Sequence, residues 1–198
     1  NALLAHDDGV LVAPPGAVLT EGGGVSGVAA GGAVAFKGIP FAAPPEGALR
    51  WRPPAPAVPW RGVKAATAFG PVCPQLDPDG KPTGAEDCLS LNVWVPAAAP
   101  ATPLPVLVFV HGGGNAQGAG SFPYYDGTVF ASKERAVVVT VNYRLSSLGW
   151  LAQPFLSAES RRGVSGNWGT FDQLAALRWV KRNVAAFGGD PSRVLVFG

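Results

Sequence analysis

Compact apolar runs rather than long amphipathic stretches dominate the pattern of this chain. Residues 106–110 (Val-Leu-Val-Phe-Val) read as a buried strand. Residues 136–141 form a continuous run rich in β-branched residues, suited to a strand covered on both faces. Shorter runs at 91–95 and 194–197 predict two more strands. One segment carries helical periodicity: Leu174, Leu177, Val180, Val184 and Phe187 recur at spacings of three and four, which predicts a helix over 170–187. Thr170 with Gln173 has the form of a capping box, and Gly188-Gly189 followed by Pro191 supplies the stop. Strand, helix and strand in alternation predict an α/β layered fold with a largely parallel sheet.

The first half is less regular. Short β-like pieces at 17–20, 25–30 and 33–36, separated by glycines, read as a small meander. Residues 39–60 hold seven prolines, which fix φ and remove donors, so this stretch reads as ordered coil pinned by Trp51 and Trp60. Residues 1–17 read as a loose arm. No repeat or inter-domain linker interrupts residues 18–198, which read as part of a single domain.

Composition narrows the class. With 47% hydrophobic and 14% charged residues, the chain has the makings of a packed core. A formal charge of +2 with no Lys/Arg block gives no electrostatic case for nucleic acid. The apolar runs are strand-sized, too short to span a bilayer. The chain starts at Asn1 rather than Met, so any leader peptide falls outside it. Cys73 and Cys88 lie 15 positions apart across a Pro- and Gly-rich stretch, as a loop-closing disulfide or as two buried thiols. A disulfide there would contribute on the order of 3 kcal/mol and imply an oxidising compartment. Neither cysteine has metal-ligand spacing, and no metal or cofactor is expected.

The strand at 106–110 runs directly into His111-Gly112-Gly113-Gly114. Glycines permit φ > 0 and close approach, so such a turn can aim consecutive N–H groups at one point, as an oxyanion hole requires. Around it stand several motifs in order: Phe36-Lys37-Gly38-Ile39-Pro40-Phe41-Ala42, Leu49-Arg50-Trp51, Phe69-Gly70-Pro71-Val72-Cys73, Glu86-Asp87-Cys88-Leu89-Ser90-Leu91-Asn92-Val93-Trp94, Asn142-Tyr143-Arg144, Gly166-Asn167-Trp168-Gly169 through Asp172-Gln173, and Phe187-Gly188-Gly189-Asp190-Pro191. Together they resemble the N-terminal part of the type-B carboxylesterases, the group that includes cholinesterases and bacterial broad-range esterases.

The resemblance implies the N-terminal portion of an α/β-hydrolase fold: a small β-meander, then the first strands and helices of a mostly parallel central sheet. It implies a Cys73–Cys88 disulfide, oxyanion-hole donors at Gly113 and Gly114, and a loop-shaping role for His111. It implies buried ion pairs Arg50–Glu86 and Arg144–Asp172. The activity implied is hydrolysis of a small carboxylic ester through a serine acyl-enzyme. A secreted or periplasmic location follows from the disulfide, and the Ala-, Gly- and Pro-rich composition with Arg over Lys suggests a bacterial source. Two departures bear on specificity: Asn115 stands where many relatives carry a bulky aromatic, and the Cys73–Cys88 loop holds no aromatic residue, which argues against a choline ester.

The nucleophile is not evident. None of Ser121, Ser146, Ser147, Ser157, Ser160 or Ser165 lies in Gly-x-Ser-x-Gly, and Gly198 reads as the first glycine of that elbow. Ser165 comes nearest, in Gly163-Val164-Ser165-Gly166, with no strand before it; His6 lies in the arm. Serine, acid and base are therefore expected on a second polypeptide segment that completes the fold. The alternative is a catalytically inactive, cholinesterase-like binding or adhesion ectodomain. An intact His-Gly-Gly-Gly and the lack of any Asn-x-Ser/Thr weigh against it.

Overall fold

A computed structural model of the protein describes residues 4–5, 11–12 and 16–198. The arm expected over 1–17 therefore lies mostly outside the described residues, as does His6; within it Leu4–Ala5 pairs antiparallel with Leu11–Val12. A three-stranded sheet opens the body, with β1 (Ala17–Thr20) antiparallel to β2 (Gly23–Ser26) and β5 (Val63–Ala65) parallel to β2. Between them run β3 (Val28–Ala30) and β4 (Ala33–Pro40), which belong to the main sheet. The expected meander is thus divided between two sheets.

The main sheet also contains β6 (Ser90–Pro96), β7 (Leu104–Val110), β8 (Val137–Val141) and β9 (Gly189–Phe197), in the spatial order β3-β4-β6-β8-β7-β9. It is mixed rather than mostly parallel: β7 runs parallel to β8 and β9, whereas β3, β4, β6 and β8 pair antiparallel in turn. The hairpin joining β3 and β4 and the insertion of β8 between β6 and β7 account for the antiparallel half. The chain moves one way from β7 to β8 and the other way to β9. Such a reversal opens a crevice beyond the carboxyl ends of the strands.

Helices cover both faces. On one side α4 (Trp168–Asn183) lays Ala176, Trp179 and Val180 over Val106, Val108, Val137 and Val139. On the other, Ala131 of α1 (Thr128–Ser132) packs with Trp94, Val138 and Leu107. Every residue of β8 is buried, as its unbroken apolar run predicts. Two short helices, α2 (Ser146–Trp150) and α3 (Pro154–Glu159), bridge β8 to α4.

The long helix departs from its expected frame. It starts at Trp168, behind Asn167 in the left-handed conformation (φ 59°), with no side-chain cap. The Thr170–Gln173 box is therefore not formed, because both residues already lie within the helix. A 3-10 turn, Val184–Phe187, ends at Gly188. Its expected apolar face holds at Leu177, Val180, Val184 and Phe187, which pack in the core, but Leu174 is 40% exposed, and Asp172, Trp179 and Asn183 are buried as well. The ion pair with Arg144 draws Asp172 inward. The proline-rich coil is pinned as expected, by Trp60 Nε1 donating to Gly24 O (2.8 Å) and Trp51 Nε1 donating to Ser147 O (3.0 Å).

Candidate active site

The carboxyl ends of β7, β8 and β9 lie at one edge of the sheet, with Phe109 in register with both Thr140 and Phe197. From that edge Gly112, Gly113 and Gly114 form an exposed turn. Gly113 and Gly114 adopt φ of 114° and 62°, and Asn115 follows at 61°. The turn closes on itself: the N–H groups of Ala116 and Gln117 donate to the Gly113 carbonyl at 3.1 and 3.2 Å. Those of Gly113 and Gly114 meet no protein acceptor among the described residues.

Several buried polar groups hold this turn. His111 lies beneath it, stacked on Tyr143 with ring centroids 4.4 Å apart. Its Nδ1 sits 2.8 Å from the Gly112 carbonyl, and the Tyr143 hydroxyl donates to the His111 carbonyl at 2.7 Å. Farther along, the Thr140 hydroxyl donates to Gly120 O (2.7 Å), and Asn142 Oδ1 accepts the Gly120 N–H (2.9 Å). Asn142 Nδ2 reaches back to the carbonyls of Pro71 and Cys88. The Ser146 N–H donates to Asn115 O at 2.7 Å. The turn is thus tethered on both flanks while its crest stays open.

Cys73 and Cys88 are disulfide-bonded, with Cα atoms 5.0 Å apart. The loop they close carries a small ladder, Gln75–Leu76 with Pro82–Thr83. Between this loop and the glycine turn lies a cleft of about 660 Å³, lined among others by Gly112, Gly113, Leu76, Phe122, Tyr124 and Tyr125. Its walls are mainly apolar and aromatic, and Gly113 is part of its lining. A groove of about 760 Å³ lies at the opposite end of the parallel strands, around Pro100, Pro103, Gly189 and Pro191, away from these groups.

Burial pushes the His111 imidazole below its ordinary pKa, partly offset by the Gly112 hydrogen bond. It is therefore neutral at pH 7 and donates from Nδ1. Unfolded chains take up this proton near pH 6.5, the folded protein only at lower pH. The histidine's contribution to stability is thus full above about pH 6.5 and is lost as pH falls below it. His111→Gln should flatten the fall in thermal stability between pH 7 and 5; an unchanged slope would place the acid sensitivity elsewhere.

Both expected ion pairs form. Arg144 Nε and Nη2 donate to Asp172 Oδ2 and Oδ1, each at 2.7 Å, and the Arg144 N–H adds a third donation at 3.0 Å; side-chain exposures are 3% and 0%. Arg50 and Glu86 form a bidentate pair at 2.7 and 2.6 Å, but with exposures of 39% and 24% it is not buried. Glu86 lies beside Cys88 in a loop at the surface, where packing closes over only part of the pair. Ser165 sits between α3 and α4, its hydroxyl donating to Gln153 O (3.1 Å) and 2.8 Å from Ser157 Oγ. Sequence reasoning missed Gln75, whose side chain binds Gly118. A glutamine in a Pro- and Gly-rich loop carries no periodicity to single it out.

A profile of the Carboxylesterase family matches residues 14–198. The chain belongs to the carboxylesterase family. It is 51% identical to fumonisin B1 esterase of Sphingopyxis macrogoltabida over 183 residues, covering 90% of this chain and 34% of that protein. It is 45% identical to para-nitrobenzyl esterase of Bacillus subtilis, covering 91% and 37% respectively. Among solved structures, a Geobacillus stearothermophilus carboxylesterase superposes with a TM-score of 0.84 at 45% identity, over 92% of this chain and 37% of its own. The chain thus spans about a third of the length of the curated relatives it matches. Its mixed sheet and few helices form a partial α/β-hydrolase fold. No helix among the described residues is long and apolar enough to cross a membrane.

Proposed function

We propose that the complete protein is a carboxylic-ester hydrolase working through a serine acyl-enzyme, with this chain supplying the oxyanion-hole loop. The observation that carries this reading is the pair of N–H groups, Gly113 and Gly114, that meet no protein acceptor among the described residues, on a tethered turn at the carboxyl end of β7 beside an apolar cleft. When a serine attacks an ester carbonyl, its proton passes to a general base while negative charge develops on the carbonyl oxygen. Fixed N–H groups stabilise that charge, and removing one such donor typically costs about 10²–10³ in rate. Collapse of the intermediate expels the alcohol, and water then releases the acid.

In this reading serine, acid and base come from the rest of the protein. That part also covers the free side of β9, where Leu195 is 59% exposed and Val196 and Phe197 lie open beside it. The substrate is a small carboxylic ester; the disulfide supports a secreted or periplasmic location, and the Ala-, Gly- and Pro-rich composition with Arg over Lys supports a bacterial source. Turnover of p-nitrophenyl butyrate by the full-length protein, abolished by an organophosphate, is the expected result. Absence of ester turnover overturns the activity, and turnover that survives the organophosphate overturns the serine mechanism.

A further inference from the structure

Gln75 lies two residues after Cys73, inside the disulfide loop, and its carboxamide is fully engaged. Its Oε1 accepts the Gly118 N–H at 2.8 Å, while Nε2 donates to the Gly118 carbonyl at 3.0 Å and to the Cys73 carbonyl at 3.0 Å. One side chain thus binds both polar groups of Gly118 and ties them to the disulfide loop. A carboxamide is suited to this because it offers donor and acceptor side by side.

Gly118 in turn has little freedom. At φ 119°, any Cβ there would collide with the His111 ring and lie 2.6 Å from the Gly112 carbonyl. Its neighbour Gln117 donates to the Gly113 carbonyl at 3.2 Å. Residues 112–117 are themselves exposed, so packing does not fix them. Their position follows from the points at which the turn is tied, and Gly118 is one of these.

We infer that Gln75 is a positioning residue for the oxyanion loop: by clamping Gly118 to the disulfide loop it fixes where the Gly113 and Gly114 N–H groups point. The inference rests on the ester-hydrolase reading and adds to it a residue that lines the cleft while its carboxamide is spent on backbone groups of the two loops. Donors of this kind act only at about 2.7–3.1 Å from the developing oxyanion. A displacement of about 1 Å can cost on the order of 10²-fold in rate. The ground-state ester depends much less on these donors, so the loss belongs to kcat rather than KM.

The test uses the full-length protein with Gln75→Met, which keeps the length without the polar atoms, and Gln75→Glu. Gln75→Met should lower kcat for p-nitrophenyl butyrate by about 10- to 100-fold with KM nearly unchanged. Inactivation by an organophosphate, whose P=O oxygen also needs these donors, should slow in parallel. In Gln75→Glu the carboxylate faces two carbonyl oxygens, so its kcat relative to the wild type should rise from pH 8 to pH 5.5, as protonation restores a donor. This ratio is readable even if Gln75→Met folds poorly. A lower melting temperature with kcat and inactivation rate at wild-type levels, or a Gln75→Glu ratio flat with pH, overturns the inference. A wild-type protein that hydrolyses no ester overturns the ester-hydrolase reading itself, an outcome distinct from an active enzyme indifferent to residue 75.

Discussion

Gly113→Ala lowers kcat of the full-length protein toward p-nitrophenyl butyrate by about 10²–10³-fold, whereas Gly114→Ala loses less than about tenfold. The two glycines look equivalent in sequence and differ in their surroundings. At Gly113, φ is 114° and a Cβ would collide with the Gln117 carbonyl, the far side of the same turn. The turn that Gln117 closes onto Gly113 must then open, and the N–H groups of Gly113 and Gly114 move with it. At Gly114, φ is 62° and a Cβ would meet nothing within 4 Å. An alanine there carries only the cost of the left-handed conformation, about 1–2 kcal/mol, much of which falls on loop stability rather than on the transition state. Parallel kcat and KM measurements on the two variants decide the matter. Equal losses at both positions would show that the hole does not depend on the geometry of this turn.

That contrast marks the limit of what the sequence reveals. Burial of β8 was legible because five consecutive residues need cover on both faces and their composition says so. The place of the glycine turn was legible because the strand before it is apolar to its last residue. The Cys73–Cys88 bridge and the Arg144–Asp172 pair were accessible through the family motifs, since each partner lies inside one. Strand order was not legible. The antiparallel pairing of β6 with β4, which sets Leu91 against Ile39, depends on contacts about fifty residues apart and leaves no periodic trace. The face of α4 was legible at Leu177, Val180, Val184 and Phe187, but the burial of Asp172 was not, for a chemical reason: an apolar-periodicity count treats Asp172 as a solvent position, and a guanidinium on another element reverses that. The Gln75 clamp escaped notice because a lone glutamine's value lies entirely in which peptide it meets.

Arg144→Ala should destabilise the full-length protein by about 3–5 kcal/mol at pH 7, the usual consequence of leaving one member of a buried ion pair without its partner. Asp172 is fully enclosed, and burial already pushes its carboxyl above the ordinary range against three opposing donations from Arg144. With Arg144 removed, desolvation acts unopposed and the folded-state pKa rises further above the unfolded value of about 3.9. A carboxyl whose folded pKa exceeds its unfolded one binds more protons when folded, so stability increases as pH falls. The deficit of Arg144→Ala relative to the wild type should therefore shrink between pH 7 and pH 5. Arg50→Ala, at a pair open to solvent, should cost much less and show no such recovery, because water screens Glu86 when its partner is gone. Denaturant titrations of both variants at the two pH values test this. A pH-independent loss for Arg144→Ala, or one no larger than that of Arg50→Ala, would mean that the Asp172 charge finds water once its partner is removed. The consequence would reach the glycine turn, since Arg144 follows Asn142, whose side chain holds Gly120. A relaxed Arg144 segment would then loosen one flank of the turn that presents Gly113 and Gly114.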